Sequence, residues 1–228
     1  MNRLRGSFQV LKQLGKLIAV GKSSGNLKKI ADLVDSFLDT PEMNACITRF
    51  RELPGGSEMM DERYPPLQPD LDSLAQYPAG SLGHGYAALI RKLNYDPEFF
   101  RPRLIDTEGR WLTQRIATTH DIHHLISGFN TEREGENGVL AITASQIGFP
   151  AYVCLNKAVQ TSNFRFRLKS YPAISKAINH GITIGFTSKA FCTARWEEHW
   201  DWSIEQWRHH LQIQYPADHC SYGLNPIL

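Results

Sequence analysis

Apolar positions along the 228-residue chain recur mainly at steps of three and four, the spacing that lines up side chains on one face of a helix. Phe8, Leu11, Leu14 and Ile18 mark a first stripe, and Leu27, Ile30, Ala31, Val34 and Leu38 predict a helix over Asn26 to Leu38. A third helix is expected over Pro41 to Arg51. Residues 54–70 hold four of the twelve prolines and break the period, which predicts a long surface loop. Beyond Leu71 to Leu74 and a turn over Pro78 to Gly83, Tyr86, Leu89, Ile90 and Leu93 mark another helix. Helical spacing then dominates, with segments at about 108–127, 131–146, 150–160, 172–180 and 187–212. In the last of these, Trp196, Trp200, Ile204, Trp207 and Leu211 form one stripe, which predicts a long helix packing its aromatic face into a core. Alternation of period two is confined to Ile182 to Phe186. The expected class is all-α, a single-domain helical bundle.

Composition narrows the functions open to such a bundle. Hydrophobic residues at 42% and charged residues at 21% describe a globular chain rather than a disordered or collagen-like one. Cys46, Cys154, Cys192 and Cys220 lie far apart without a Cys-x-x-Cys pair, which argues against a disulfide framework and a thiolate zinc site. A net charge of +2 is too small to suggest nucleic-acid binding, yet residues 1–31 carry seven basic side chains and no acidic one. Residues 1–10 are therefore read as a basic arm and residues 11–228 as the helical domain. The arm and its stripe suit either the surface of an anionic membrane or ordinary docking on the fold. No window is apolar for long enough to span a bilayer, and the N-terminus lacks the apolar core of a signal peptide. The uncharged run from Asn137 to Asn156 reads as a buried helix followed by a turn. With the aromatic stripe, it offers apolar surface for a groove that takes a long-chain lipid.

The chemistry concentrates at Thr119-His120-Asp121-Ile122-His123-His124. On a helix His120, His124 and Asp121 fall at about 0°, 40° and 100° around the axis, so two imidazoles and a carboxylate share a face and can meet one ion. A fourth ligand must come from the next element, where Glu132, Glu134 and Glu136 follow a turn around Ser127-Gly128. A capping box formed by Thr131 and Glu134, and acids complementing a first turn, account for Glu132 and Glu134. Glu136, one further turn into the helix, is less well explained by capping, which makes it the favoured fourth candidate beside His120, Asp121 and His124 for a metal site on a helix hairpin. Two nitrogens and two carboxylates suit zinc, ferrous iron, manganese or, less well, magnesium. His123 borders this face and is expected to act beside the ligands or as a proton carrier, the catalytic role in this reading.

His120-Asp121-x-x-His124 is similar to the zincin motif His-Glu-x-x-His, but aspartate replaces the glutamate base. The His-Asp doublet also resembles that of HD-type phosphohydrolases, for which His84 and Asp201 are loose candidates as the further ligands. A closer resemblance is carried by His120-Asp121-x-x-His124 followed, after eleven residues, by Glu136. This pattern resembles the signature of the coenzyme Q biosynthesis protein 4 family. Pro78-Ala79-Gly80-Ser81-Leu82-Gly83 with Tyr86, the Gly-Phe-Pro turn at 148–150 and Arg195-Trp196-Glu197 fall in the family's order, and the resemblance covers about residues 10–212. It implies an all-helical homodimer that binds a divalent ion, usually described as zinc, and a polyprenyl lipid such as a prenylated quinone precursor. It implies a place beside other quinone-biosynthesis proteins, on the matrix face of the inner mitochondrial membrane or the cytoplasmic face of a bacterial one. It further implies either oxidative decarboxylation at ring position C1, with hydroxyl replacing carboxylate, or a non-catalytic scaffolding or lipid-carrying role. The family's mitochondrial members carry a longer N-terminal presequence, so a bacterial chain is expected.

Overall fold

The computed structural model describes residues 13–20, 27–94 and 104–216. The basic arm of residues 1–10 lies outside these residues, as do Phe8 and Leu11 of the stripe on which the membrane reading rests, whereas Leu14 and Ile18 of that stripe are half exposed. Residues 13–20 are helical and are labelled α1. There follow α2 (Leu27–Asp35), α3 (Pro41–Glu52), α4 (Gly56–Asp61), α5 (Leu71–Leu74), α6 (Leu82–Leu93), α7 (Glu108–Ser127), α8 (Arg133–Ile147), α9 (Pro150–Phe166), α10 (Tyr171–Thr187), a 3-10 turn (Trp196–Glu198) and α11 (Ile204–His210). Among the described residues there is no strand, only an isolated bridge between Ser81 and Ser203. The all-α expectation therefore holds, and the alternation at Ile182 to Phe186 lies within α10.

Helix starts follow the local chemistry. Thr40 Oγ1 accepts the Met43 N–H at 3.1 Å with Pro41 in the first turn of α3, and Thr107 and Ser81 cap α7 and α6 in the same way. The α7 helix is the centre of the molecule. It is buried around most of its circumference, so its sequence has little of the two-sided character of a surface helix. Its first half sends Trp111, Leu112 and Ile116 into a core shared with α2, α3, α4 and α9. Its second half sends Ile122, Leu125 and Ile126 into a core shared with α6, α8, α10 and α11.

Three expectations give way to packing. The proline-rich stretch contains α4, because Met59 and Met60 are buried and pull residues 56–61 into a helical turn. The α9 and α10 helices run on to Phe166 and Thr187. Gly181 permits the last part of α10, since a Cβ there would stand 2.1 Å from the Gly138 carbonyl oxygen of α8. The largest correction concerns the aromatic stripe. Trp196 to Leu211 is not one long helix but a 3-10 turn, a linking segment and the short α11. The link is spent on backbone hydrogen bonds, with Leu82 N–H donating to Trp202 O at 2.8 Å and Gly83 N–H to Trp200 O at 2.9 Å. A capping box formed by Ser203 and Gln206 then restarts the helix. Trp196 and Trp207 still reach the core, with ring centroids 4.5 Å apart. Beside them the buried Arg115 of α7 pairs with Glu197 and donates to Ala194 O at 2.7 Å, which fixes the Arg195-Trp196-Glu197 segment against α7.

Candidate metal centre

The hairpin from α7 to α8 is built by a glycine and a phenylalanine. Gly128 adopts φ 76°, the left-handed conformation that closes a helix, and donates its N–H to His124 O at 3.0 Å. Phe129 then sinks out of solvent against Gly138, where a Cβ would lie 2.5 Å from its ring. This anchoring aims the Phe129 carbonyl at His124 Nδ1, 3.1 Å away. Nδ1 donates that bond, which leaves the Nε2 lone pair free to face the second helix.

Three side chains meet at this point. His120 Nε2 lies 3.1 Å from Glu136 Oε2 and 3.2 Å from His124 Nε2, while His124 Nε2 lies 3.3 Å from Glu136 Oε1. Donor atoms of these residues all lie within 4.8 Å of one another. Ligand bonds of about 2.0 to 2.1 Å in a tetrahedron put neighbouring donors about 3.3 Å apart, so the spacing fits one small divalent ion. The Asp121 carboxylate is not part of this cluster, although Asp121 lines the cavity beside it. The structure thus gathers His120, His124 and Glu136 and holds Asp121 at their margin.

Electrostatics bind the three together. Burial works to lower the His120 imidazole, but the hydrogen bond and charge of Glu136, with the charge of Asp121, raise it above its ordinary value. Burial works to raise the Glu136 carboxyl, yet the charge of His124 and the hydrogen bonds of both histidines hold it well below the usual range. Glu136 is therefore ionised, the form in which a carboxylate can serve as a ligand.

The remaining candidates sit elsewhere. His123 faces away from the cluster, between Phe191 and Trp196, with ring centroids at 5.3 and 6.0 Å. Burial, with the charges of His120, His124 and Arg115 behind it, lowers its pKa well below the ordinary value, so it is neutral. Glu132 is an exposed N-cap whose N–H meets Asn130 Oδ1 at 3.1 Å, and the capping box of Thr131 with Glu134 does not form. Among the described residues neither His84 nor Asp201 joins the cluster, so nothing assembles the ligand set of a phosphohydrolase.

A cavity of about 320 Å³ opens beside the cluster. His120, Asp121 and Glu136 form its polar end, and Ile30 and Val34 of α2, Leu140 of α8, Phe149 at the start of α9, and Tyr152 and Leu155 of α9 form its apolar walls. The uncharged run from Asn137 to Asn156 supplies these last four residues, whereas Trp196 and Trp207 pack in the core instead. Tyr152, which the spacing arguments passed over, has its ring 6.1 Å from that of His120. Burial, and then the charges of Glu136 and Asp121, push its phenol up, so it stays protonated. Its place two residues after the Gly-Phe-Pro turn was the available signal.

A family model described as "Coenzyme Q (ubiquinone) biosynthesis protein Coq4" matches residues 16–217. The mitochondrial ubiquinone biosynthesis protein COQ4 of Eremothecium gossypii is 28% identical over 152 residues, 65% of this chain and 46% of the relative. That of Yarrowia lipolytica is 26% identical over 213 residues, 89% of this chain and 80% of the relative. The chain spans about half the length of the first curated relatives it matches. In fold it is similar to a crystal structure of a provisionally assigned ubiquinone biosynthesis protein from Nostoc punctiforme. The TM-score is 0.79 at 24% identity, over 89% of this chain and 95% of that one.

Proposed function

The chain belongs to the coenzyme Q (ubiquinone) biosynthesis protein Coq4 family, and from that premise we propose that it binds one divalent ion through His120, His124 and Glu136 and a prenylated quinone precursor in the adjoining cavity. The observation that carries the proposal is the convergence of three donors, at tetrahedral spacing, on the polar end of an apolar cavity. Zinc suits the donors best, with iron and manganese next and magnesium last. Asp121 completes the polar rim as an additional carboxylate, able to join the ion or to orient its ligands.

An ion bound there supplies a Lewis acid for a ring carboxylate. The chain's own residues do the rest. Ile30, Val34 and Leu155 shelter an apolar tail, Phe149 and Tyr152 bound the ring end, and the protonated Tyr152 phenol is a donor for a ring substituent. Replacing a ring carboxylate by hydroxyl releases carbon dioxide and removes two electrons, so an external oxidant takes part in such a decarboxylation. In this reading the protein works as a homodimer at a membrane surface, beside other proteins of quinone synthesis. Among the described residues no helix is long and apolar enough to cross a membrane.

The test supplies zinc-replete or iron-replete protein with a carboxyl-labelled prenylated hydroxybenzoate and an oxidant, and measures labelled carbon dioxide. Metal-dependent release that Glu136→Gln abolishes supports catalysis. Metal and lipid binding without release favours the scaffold or carrier role, and failure to bind either would sink the proposal.

A further inference from the structure

One stretch of the molecule differs in charge from everything around it. The sixty residues from Asn137 to Trp196 contain no aspartate or glutamate and seven lysines and arginines. Three of the seven fall in the run Phe164-Arg165-Phe166-Arg167-Leu168-Lys169, where apolar and basic residues alternate through the last turn of α9 and the bend into α10. All six side chains are exposed, with Phe164 at 60%, Phe166 at 78% and Leu168 at 65%. Lone exposed apolar residues are ordinary, but three large ones within five positions are a local concentration of exposed apolar surface.

The bend itself is well formed. Asn163 is buried and its Nδ2 donates to Val159 O at 2.8 Å, Arg167 N–H donates to Asn163 O at 2.9 Å, and the Phe164 ring meets Tyr171 edge-on at 5.4 Å. The Arg165 guanidinium lies over the Phe166 ring at 5.7 Å. Among the described residues no carboxylate pairs with Arg165, Arg167 or Lys169. Arg195, by contrast, is neutralised by Glu58 and Glu62 at 3.3 and 3.2 Å.

We propose that the bend between α9 and α10 docks on an anionic lipid bilayer, with Phe166 and Leu168 entering the acyl boundary and Arg165, Arg167 and Lys169 meeting lipid phosphates. The alternation places an apolar body beside a long cationic side chain at each step, the arrangement in which stems lie along lipid while charged ends reach the headgroups. The feature is an exposed bend between two helices. A bilayer accepts it without directional partners, whereas a nucleic acid or an acidic protein would need a shaped complement. This inference deepens the membrane-surface part of the proposed function by naming the segment that makes the contact, and it does not rest on the metal and quinone chemistry or on the N-terminal arm.

The experiment measures binding of the full chain to phosphatidylcholine vesicles with and without phosphatidylglycerol, for the parent, for Arg165→Gln/Arg167→Gln/Lys169→Gln and for Phe166→Ser/Leu168→Ser. The charge variant is expected to weaken binding to anionic vesicles by roughly 100-fold and to flatten its salt dependence. The apolar variant is expected to weaken binding to both kinds of vesicle. Circular dichroism and thermal midpoint, measured in parallel, should match the parent because these side chains lie outside the core. Parent-like binding by both variants, or no binding by the parent, would overturn the proposal.

Discussion

The two faces of α7 carry the same residue type to opposite ends. On one, His120 and His124 point their Nε2 atoms at a carboxylate and border a cavity. On the other, only one position from His124, His123 lies between Phe191 and Trp196, with neither ring nitrogen meeting a partner among the described residues. A histidine becomes a ligand through what confronts it. Glu136 raises the pKa of His120 and the Phe129 carbonyl orients His124, while aromatic rings on the far side leave His123 neutral.

The contrast is broken most severely at the proposed ligands. His124→Ala or Glu136→Gln should reduce affinity for zinc by more than about 100-fold, since each removes a donor from a set of three. Titration calorimetry or a competing chelator reads the change, and unchanged affinity in both variants would end the metal assignment.

Gly138→Ala attacks the hairpin instead. The added Cβ must displace the buried Phe129 ring, at a cost of about 1 to 3 kcal/mol after any gain in helix propensity. Because Phe129 orients His124, denaturant unfolding and zinc affinity should both weaken. A loss of stability alone would uncouple the turn from the ligand.

pH sharpens the comparison. In the metal-free protein His120 has a folded pKa above its ordinary 6.5, so its pairing with Glu136 stabilises the fold fully below about pH 6.5. That contribution is lost as pH rises through the folded value, while Glu136 stays ionised throughout. Zinc needs the unprotonated imidazole, so the stabilisation by added zinc should grow over the same interval. The gap between thermal midpoints with and without zinc should therefore widen as pH rises through that interval, and parallel curves would contradict the His120 assignment.

The smallest effect is expected on the far face. His123→Leu should retain zinc and change stability by less than about 1 kcal/mol, because an apolar residue of similar size replaces a neutral ring whose nitrogens have no described partner. Loss of turnover with zinc retained would instead assign His123 to proton transfer.

Much of this centre was legible because its parts are close in sequence. His120 and His124 are four residues apart on one helix, and Glu136 follows across a hairpin closed by Gly128, so helical geometry and one turn bring them together. Asp121 lies 100° around the helix from His120, which places it on the cavity but outside the cluster. Tyr152 was not legible by spacing, since its approach depends on how α9 crosses α7. The aromatic stripe at Trp196 to Leu211 misled for a related reason. Steps of three and four also occur in a 3-10 turn joined to a short helix, and the better signal was Ser203 followed three residues later by Gln206. Charge patterning, by contrast, was visible only in part, because the acid-free stretch becomes a surface only once α9 and α10 are folded back on each other.

The glycine contact between α8 and α10 bears on how the molecule breathes. With the Gly138 carbonyl where a side chain on Gly181 would be, the two backbones touch with no rotamers between them to yield. Glu136 lies less than one turn before that contact, so one wall of the cavity is tied to a rigid pair of helices. The opposite wall, α2, has nine residues and meets the core through the side chains of Leu33 and Val34. A bulky guest would then enter by an outward swing of α2 rather than by parting of the hairpin. Amide protons of α8 and α10 would exchange only on global unfolding, and those of α2 through a smaller local opening.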